Sequence, residues 1–261
     1  MPAPHSWFSI FRRGRPLADF GWLGIDLHNH ILPGIDDGAP DVLTSTQMLT
    51  GLARLGFAGA FATPHVMAEV HPNTPDTINC AAARLNQALG GAYRQLLRGA
   101  SAEYMLDERF GALLSAGDSS PLLPLPGRRL LVEWSLAGEP LGLADALAAV
   151  AEAGYRPVIA HPERYRYWHA RPERYRELVE RGCELQVNLL SLVGRYGGGA
   201  QRAGLRLLDE GLAAFAATDA HGVRDVDALE GVLRDRSAAA ALRAAPLRNA
   251  ELVGATAPAT G

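Results

Sequence analysis

Short apolar runs recur along this chain, and six of the seven end at a histidine, aspartate or glutamate. The runs read as strands at 22–27, 58–63, 97–102, 129–133, 156–160, 184–188 and 212–217. Amphipathic stretches such as STQMLTGLARLG, ADALAAVAEAG and PERYRELVERG separate most of them, the last two closing on Gly as helices often do. Strand and helix in alternation predict a parallel sheet. At 261 residues the repetition fits an α/β single domain closed as a TIM-barrel-like (β/α)7 barrel, one unit short of the usual eight.

The polar residues at the run ends carry the chemistry. His28 and His30 follow the first run in GIDLHNHILPGIDDGA, and Asp219 and His221 follow the last in AATDAHG. In extended chain, residues two apart point the same way, so each pair can aim both side chains at one centre. Between the pairs stand His65 after FAGAFATP, Glu103 after LLRGASA, Glu133 after RRLLV and His161 after YRPVIA. Barrel chemistry gathers at C-terminal strand ends, so donors placed there predict a metallohydrolase. Nitrogen and oxygen donors without thiolate suit Mn, Fe, Zn or Co. A single catalytic zinc takes three protein ligands, so this set implies at least two ions and room for three. Glu103, Glu133 and Asp219 can bridge ions, and Asp37 can add a carboxylate or orient a ligand. Asp36 is expected to shape the DDG turn and Asp26 to hydrogen-bond a ligand histidine. The sixth run ends in Gln186 and Asn188, poor ligands for a transition metal. Glu152, Glu173, Glu177, Glu180 and Asp209 read as solvated helix faces, His5 and His169 as surface residues, and His71 as a weaker candidate.

Other classes are excluded by what is missing. All 25 basic residues are arginine, which removes Schiff-base lysines, the P-loop lysine and the carboxylated lysine of many barrel amidohydrolases. The two cysteines, Cys80 and Cys183, lack an arginine six positions on, as a cysteine-phosphatase loop requires, and are expected to be buried thiols. A net charge of -3 leaves no basic surplus for nucleic acid. No apolar run approaches the roughly 20 residues of a transmembrane helix, and the N-terminus lacks the order of a secretory signal, so a soluble cytoplasmic enzyme is expected.

The motifs DLHNHILPGIDDGA, ATPH, SAEY, LVEWS, IAHPERY and TDAHG, in that order from about Phe8 to Arg224, resemble the polymerase and histidinol phosphatase (PHP) superfamily. Within it they are most similar to the manganese-dependent protein tyrosine phosphatases of bacterial capsule and exopolysaccharide clusters. The resemblance implies a distorted seven-stranded barrel holding up to three ions, Mn2+ before Fe, Co or Zn. It makes His28, His30, His65, Glu103, Glu133, His161, Asp219 and His221 the ligands, with Asp37 a further one. It makes Arg164 a phosphate-binding residue and Arg224 the nearest candidate for a second. It implies metal-activated water as the nucleophile, with His221 or Asp37 as general acid. The substrate it implies is a phosphotyrosine protein, a bacterial tyrosine kinase controlling polysaccharide export. The alternatives are a small-molecule phosphoesterase such as a histidinol-phosphate phosphatase, and a metal-binding scaffold without turnover. Around the barrel, 21–236, the sequence predicts an N-terminal arm over 1–20 and an Ala-rich helix with a disordered tail over 237–261.

Overall fold

The computed structural model describes residues 15–116 and 122–254. His5, most of the expected arm and all but the first residue of GATAPATG lie outside the described residues. Each of the seven apolar runs forms a strand, shortest where the chain must bend. They are β1 (Ile25–Asp26), β2 (Gly59–Ala62), β4 (Leu97–Ala100), β6 (Arg129–Glu133), β7 (Arg156–Ala160), β8 (Glu184–Asn188) and β9 (Ala213–Ala217). Two more, β3 (His65–Val66) and β5 (Glu103–Met105), resume the lines of β2 and β4 after a short interruption. All pairings are parallel, in a three-stranded sheet ordered β1-β2-β4 and a six-stranded sheet ordered β3-β5-β6-β7-β8-β9.

One continuous closed sheet was expected, and two sheets are found instead. The break has local causes. The register slips between Ala60 and Phe61, and Pro64, which has no N–H to give a ladder, separates β2 from β3. Hydrogen bonds from Ser101 N to Ala62 O (2.8 Å) and Glu103 N to Pro64 O (3.0 Å) carry the chain across the gap. On the other side a single parallel bridge, Asn29 to Ala220, joins the first segment to the last.

Helices follow most strands: α1 (Val42–Arg54), α2 (Pro75–Ala88), α3 (Glu108–Ala116), α4 (Leu143–Glu152), α5 (Glu173–Glu180), α6 (Gly198–Asp209), α7 (Val223–Arg234) and α8 (Arg236–Ala244), the last being the expected Ala-rich helix. Their starts are written in the sequence. Asp41 accepts from Thr44 N at 2.7 Å, and Thr74 and Thr77 form a reciprocal cap with Pro75 at the first position of α2.

Alternation along the strands divides the core in two. Ile25, Leu27, Phe61, Leu131, Val158, Ala160, Phe215 and Ala217 pack on one another inside the curve of the sheets. Their neighbours Ala60, Ala62, Leu130, Val132, Ile159, Leu185, Val187 and Ala216 belong to a second cluster shared with the helices. β8 departs from this pattern, because Gln186 and Asn188, alternating with Leu185 and Val187, stand where apolar residues are the rule and are fully buried. Among the described residues no helix is long and apolar enough to cross a membrane.

Candidate metal centre

The donors named from the sequence follow β1, β2, β4, β7 and β9 or end β6, with His65 and Glu103 opening the short continuations β3 and β5. Asn29 turns away into the frame, its N–H meeting Thr63 Oγ1 at 3.1 Å and its side chain Asp26 Oδ2 at 3.0 Å. His28 and His30 therefore face the opposite way, together. The bonds Asp219 N to His28 O (2.8 Å) and His30 N to Ala220 O (3.0 Å) hold the two i,i+2 pairs side by side. His161 and Asp219 adopt left-handed backbone, φ 37° and 51°. For a residue such as histidine this costs on the order of 1–3 kcal/mol and turns the side chain inward.

Glu103, fully buried, is the hub. Its Oε2 lies 3.2 Å from His28 Nε2, 3.5 Å from His30 Nε2 and 3.1 Å from His65 Nδ1, and its Oε1 lies 3.1 Å from His161 Nε2. Asp219 Oδ1 stands 3.3 Å from both His28 Nε2 and His30 Nε2, and Glu133 Oε1 is 2.9 Å from His65 Nδ1. Asp37 Oδ1, on the exposed side, is 3.6 Å from His65 Nε2 and 3.4 Å from His221 Nε2. Three sets have donor atoms within 4.8 Å of one another: His28, His30, Glu103 and Asp219; His65, Glu103 and Glu133; His30, Asp37, His65 and His221.

These atoms fit metal ions better than one another. His65 Nδ1, Glu103 Oε2 and Glu133 Oε1 are buried and close, yet none has a hydrogen-bond partner. Buried polar atoms are nearly always paired, so a trio aimed at a common point rather than at each other is what a cation would satisfy. The charge balance agrees. Burial opposes the protonated form of His28, yet the Glu103 and Asp219 carboxylates raise it to about 10. Burial likewise opposes ionisation of Glu103, but His28 and His65 hold it well below the usual carboxylate range. The pocket demands positive charge.

Beside the donors, Arg164 Nη1 donates to Asp219 Oδ2 at 3.0 Å, with the guanidinium over the Tyr196 ring 4.5 Å from its centroid. The other arginines of that stretch serve the surface. Arg171 and Arg174 pair with Glu139, and Arg176 with Glu210. The HPERY turn is rigid behind Arg164: Tyr165 stacks on Trp134 at 4.5 Å and 8°, and Glu163, fully buried, accepts from Asn188 N and Ser191 Oγ.

With this geometry in view, the chain matches the family described as "Capsular polysaccharide synthesis, CpsB/CapC" over residues 24–227. It belongs to the CpsB/CapC family. It is 34% identical over 206 residues to tyrosine-protein phosphatase YwqE of Bacillus subtilis, covering 77% of this chain and 78% of the relative. It is 26% identical over 207 residues to tyrosine-protein phosphatase CpsB of Streptococcus agalactiae, covering 76% and 83%. Its fold superposes with a TM-score of 0.68 and 30% identity, over 86% of this chain and 96% of the other, on a chain from the crystal structures of YwqE from Bacillus subtilis and CpsB from Streptococcus pneumoniae, described as unique metal-dependent tyrosine phosphatases.

Several details of this CpsB/CapC chain depart from expectation. Asp26 bonds no histidine; it accepts from Thr218 N (3.0 Å), Thr218 Oγ1 (2.7 Å) and Asn29 Nδ2. Asp36 takes the role expected of it, accepting from His30 Nδ1 at 2.9 Å as well as from Gly38 N in its turn. The exchange arises because Asp26 sits in the strand with its side chain in the interior, whereas the turn folds Asp36 back over His30. Arg224 is exposed and makes no hydrogen bond or ion pair with the cluster among the described residues. Cys80 is exposed on α2 rather than buried, and Cys183 is buried. His169 is no free surface group, since Nε2 contacts Glu163 O at 2.8 Å, and His71 stacks 5.5 Å from His65. Sequence reading missed Gln186, Asn188 and Glu163 as partners of the site. Their only signal was polarity, Gln186 and Asn188 within a strand where apolar residues are the rule and Glu163 in the turn after β7.

Gly38 fixes how closely the DDG turn approaches the first histidine pair. A Cβ there would lie 2.1 Å from His30 O and 2.4 Å from His30 Cβ. Gly38→Ala is expected to cost about 1–3 kcal/mol by overpacking and to weaken metal retention, because the atom that must move is the backbone of a candidate ligand. Thermal unfolding together with elemental analysis checks this. A melting temperature and metal content equal to wild type would show that the turn relaxes freely.

Proposed function

We propose that this chain hydrolyses phosphotyrosine on a protein, with divalent ions, Mn2+ first, held by His28, His30, Asp37, His65, Glu103, Glu133, His161, Asp219 and His221. One observation carries the reading: Arg164 donates to the free oxygen of Asp219 and so places a guanidinium at the edge of the donor cluster. Names of relatives as tyrosine-protein phosphatases favour this over histidinol phosphate as substrate. The two sheets are proposed to act as one distorted (β/α)7 barrel, supported by the apolar cluster inside their curve and the Asn29–Ala220 bridge. Residues 21–236 are proposed as the catalytic unit, with the flanking segments as additions to it. A cytoplasmic tyrosine kinase of the polysaccharide export machinery is the proposed partner.

Bound divalent ions supply Lewis acidity and lower the pKa of the attacking water. The chain's own residues do the rest. Glu103 and Asp219 offset the positive charge, and Asp36 fixes the His30 ring through Nδ1. The Arg164 fork bonds two phosphoryl oxygens and holds the group for in-line attack, with Tyr196 beneath it limiting its swing. When no ion lies between them, His221 Nε2 and Asp37 Oδ1, 3.4 Å apart on the exposed side, would hold a proton for the departing phenolate. A phenol, pKa about 10, needs that proton less than an alkoxide would. Arg224 as a second phosphate contact has only its closeness in sequence to His221 in its favour.

The test compares Mn-loaded protein on a phosphotyrosine peptide, a phosphoserine peptide and histidinol phosphate. Phosphotyrosine is expected to be preferred, and a chelator to remove the activity. Cys80→Ser and Cys183→Ser are expected to retain it, burial pushing the Cys183 thiol up to about 11 and leaving it unreactive at neutral pH. A chelator-resistant activity sensitive to thiol alkylation would overturn the reading.

A further inference from the structure

Strand β8 contributes no metal donor, yet its two buried amides form an unbroken hydrogen-bonded line between two of them. Asn188 Nδ2 donates to Asp219 Oδ2 at 2.6 Å, Gln186 Nε2 donates to Asn188 Oδ1 at 2.9 Å, and Gln186 Oε1 lies 2.7 Å from His28 Nδ1. Gln186, Asn188 and His28 are all fully buried, so water cannot substitute for any link.

The direction of this line is not free. Asp219 Oδ2 already accepts from Arg164, a group that can only donate, so it must also accept from Asn188. Asn188 then has only its oxygen left for Gln186, which must present its NH2 to it. Gln186 in turn has only its oxygen left for His28, and that oxygen requires a proton on Nδ1. With Nδ1 protonated, Nε2 is the nitrogen left to present a lone pair when a cation displaces its proton. Nε2 is the atom 3.2 Å from Glu103 Oε2 and 3.3 Å from Asp219 Oδ1. Flipping either amide would set oxygen against oxygen at one end of the line or NH2 against an N–H at the other.

We infer that Gln186 and Asn188 are positioning residues, a two-amide relay by which Asp219 and Arg164 dictate the tautomer and ring orientation of His28. Asn188 has a further anchor, its backbone N–H donating to Glu163 Oε1 at 3.0 Å, which ties the relay to the turn that carries Arg164. The inference rests on the assignment of His28 and Asp219 as metal ligands, and goes beyond it by giving the donor-free strand a task.

A relay acts as one unit, so cutting it anywhere should cost the same. Zinc affinity, measured by competition with a chromophoric chelator, is compared for wild type, Gln186→Met, Asn188→Leu and the double variant. Each single variant is expected to bind zinc about 10- to 100-fold more weakly, as loss of a ligand's supporting hydrogen bond does. The double variant should be no more than about threefold worse than the weaker single, because the shared line is already broken. In 15N-histidine-labelled wild type the His28 Nδ1–H is expected to show the shift and slow solvent exchange of a proton bonded to an amide oxygen, and in Gln186→Met that signature should be lost. Circular dichroism melting of each variant reports folding, and alanine replaces any substitution that fails to fold. Losses that multiply in the double variant, or singles that bind zinc as wild type does, would overturn the relay. Absence of zinc binding by wild type would instead overturn the ligand assignment beneath it.

Discussion

Glu103→Ala is expected to strip most of the bound metal and to lower kcat/KM by about 10³-fold, the several kcal/mol that charge stabilisation by metal contributes. Among the described residues no other donor carboxylate reaches as many histidines: its two oxygens lie within 3.1–3.5 Å of His28, His30, His65 and His161. It also belongs to two of the three donor sets, so its removal opens two at once. Its burial adds to the effect, because four histidines would each lose one of their counter-charges in a dry site. Glu103→Gln, which keeps the volume but not the charge, should lie close to Ala. Replacement of His28, His30, Glu133 or Asp219 is expected to act in the same direction. Elemental analysis alongside kinetics on a phosphotyrosine peptide decides the matter. Wild-type metal stoichiometry in the Glu103 variants would remove this residue from the cluster.

Arg164→Ala is expected to separate phosphate binding from metal binding. Metal content should stay near wild type, since Asp219 Oδ2 keeps its bond from Asn188 when the arginine is gone. kcat/KM should fall by about 10²- to 10³-fold, the loss typical of one preorganised donor to the reacting group, with kcat lowered as well as KM raised. Arg164→Lys should recover part of this only, because an ammonium cannot bond two phosphoryl oxygens in the fixed plane of a guanidinium. Vanadate should inhibit the Ala variant more weakly than wild type. Equal rates and equal inhibition would place Arg164 outside the phosphate site, and Arg224 would be next to examine.

The chemistry of the centre was legible because strand periodicity and metal chemistry both act locally. HxH and DxH at the ends of apolar runs aim two side chains one way, whatever the rest of the chain does. The strands at 129–133 and 156–160 were legible to the residue because their side chains are buried on both faces and leave a continuous apolar run, and 184–188 because Leu185 and Val187 alternate with polar residues at the strand period. The first strand was overestimated: only Ile25–Asp26 keeps ladder geometry, since the segment from Leu27 to His30 trades ladder bonds for contacts with Thr63 and Ala220. The second and third segments each proved to be two short strands, and Pro64 stands at one of those breaks.

Sequence by itself determined the residue types, their order and the end of the fold at which they gather, because each depends on spacing within a few residues. Only the tertiary structure decided which donor stands at the centre, that Asp36 rather than Asp26 supports a histidine, and that Gln186 and Asn188 connect His28 to Asp219. Those partners are 6, 158 and 31 residues apart for His30–Asp36, His28–Gln186 and Asn188–Asp219. Hydrogen bonds across such separations are set by how the strands close side by side, a property of the packed core that no local pattern of residues encodes.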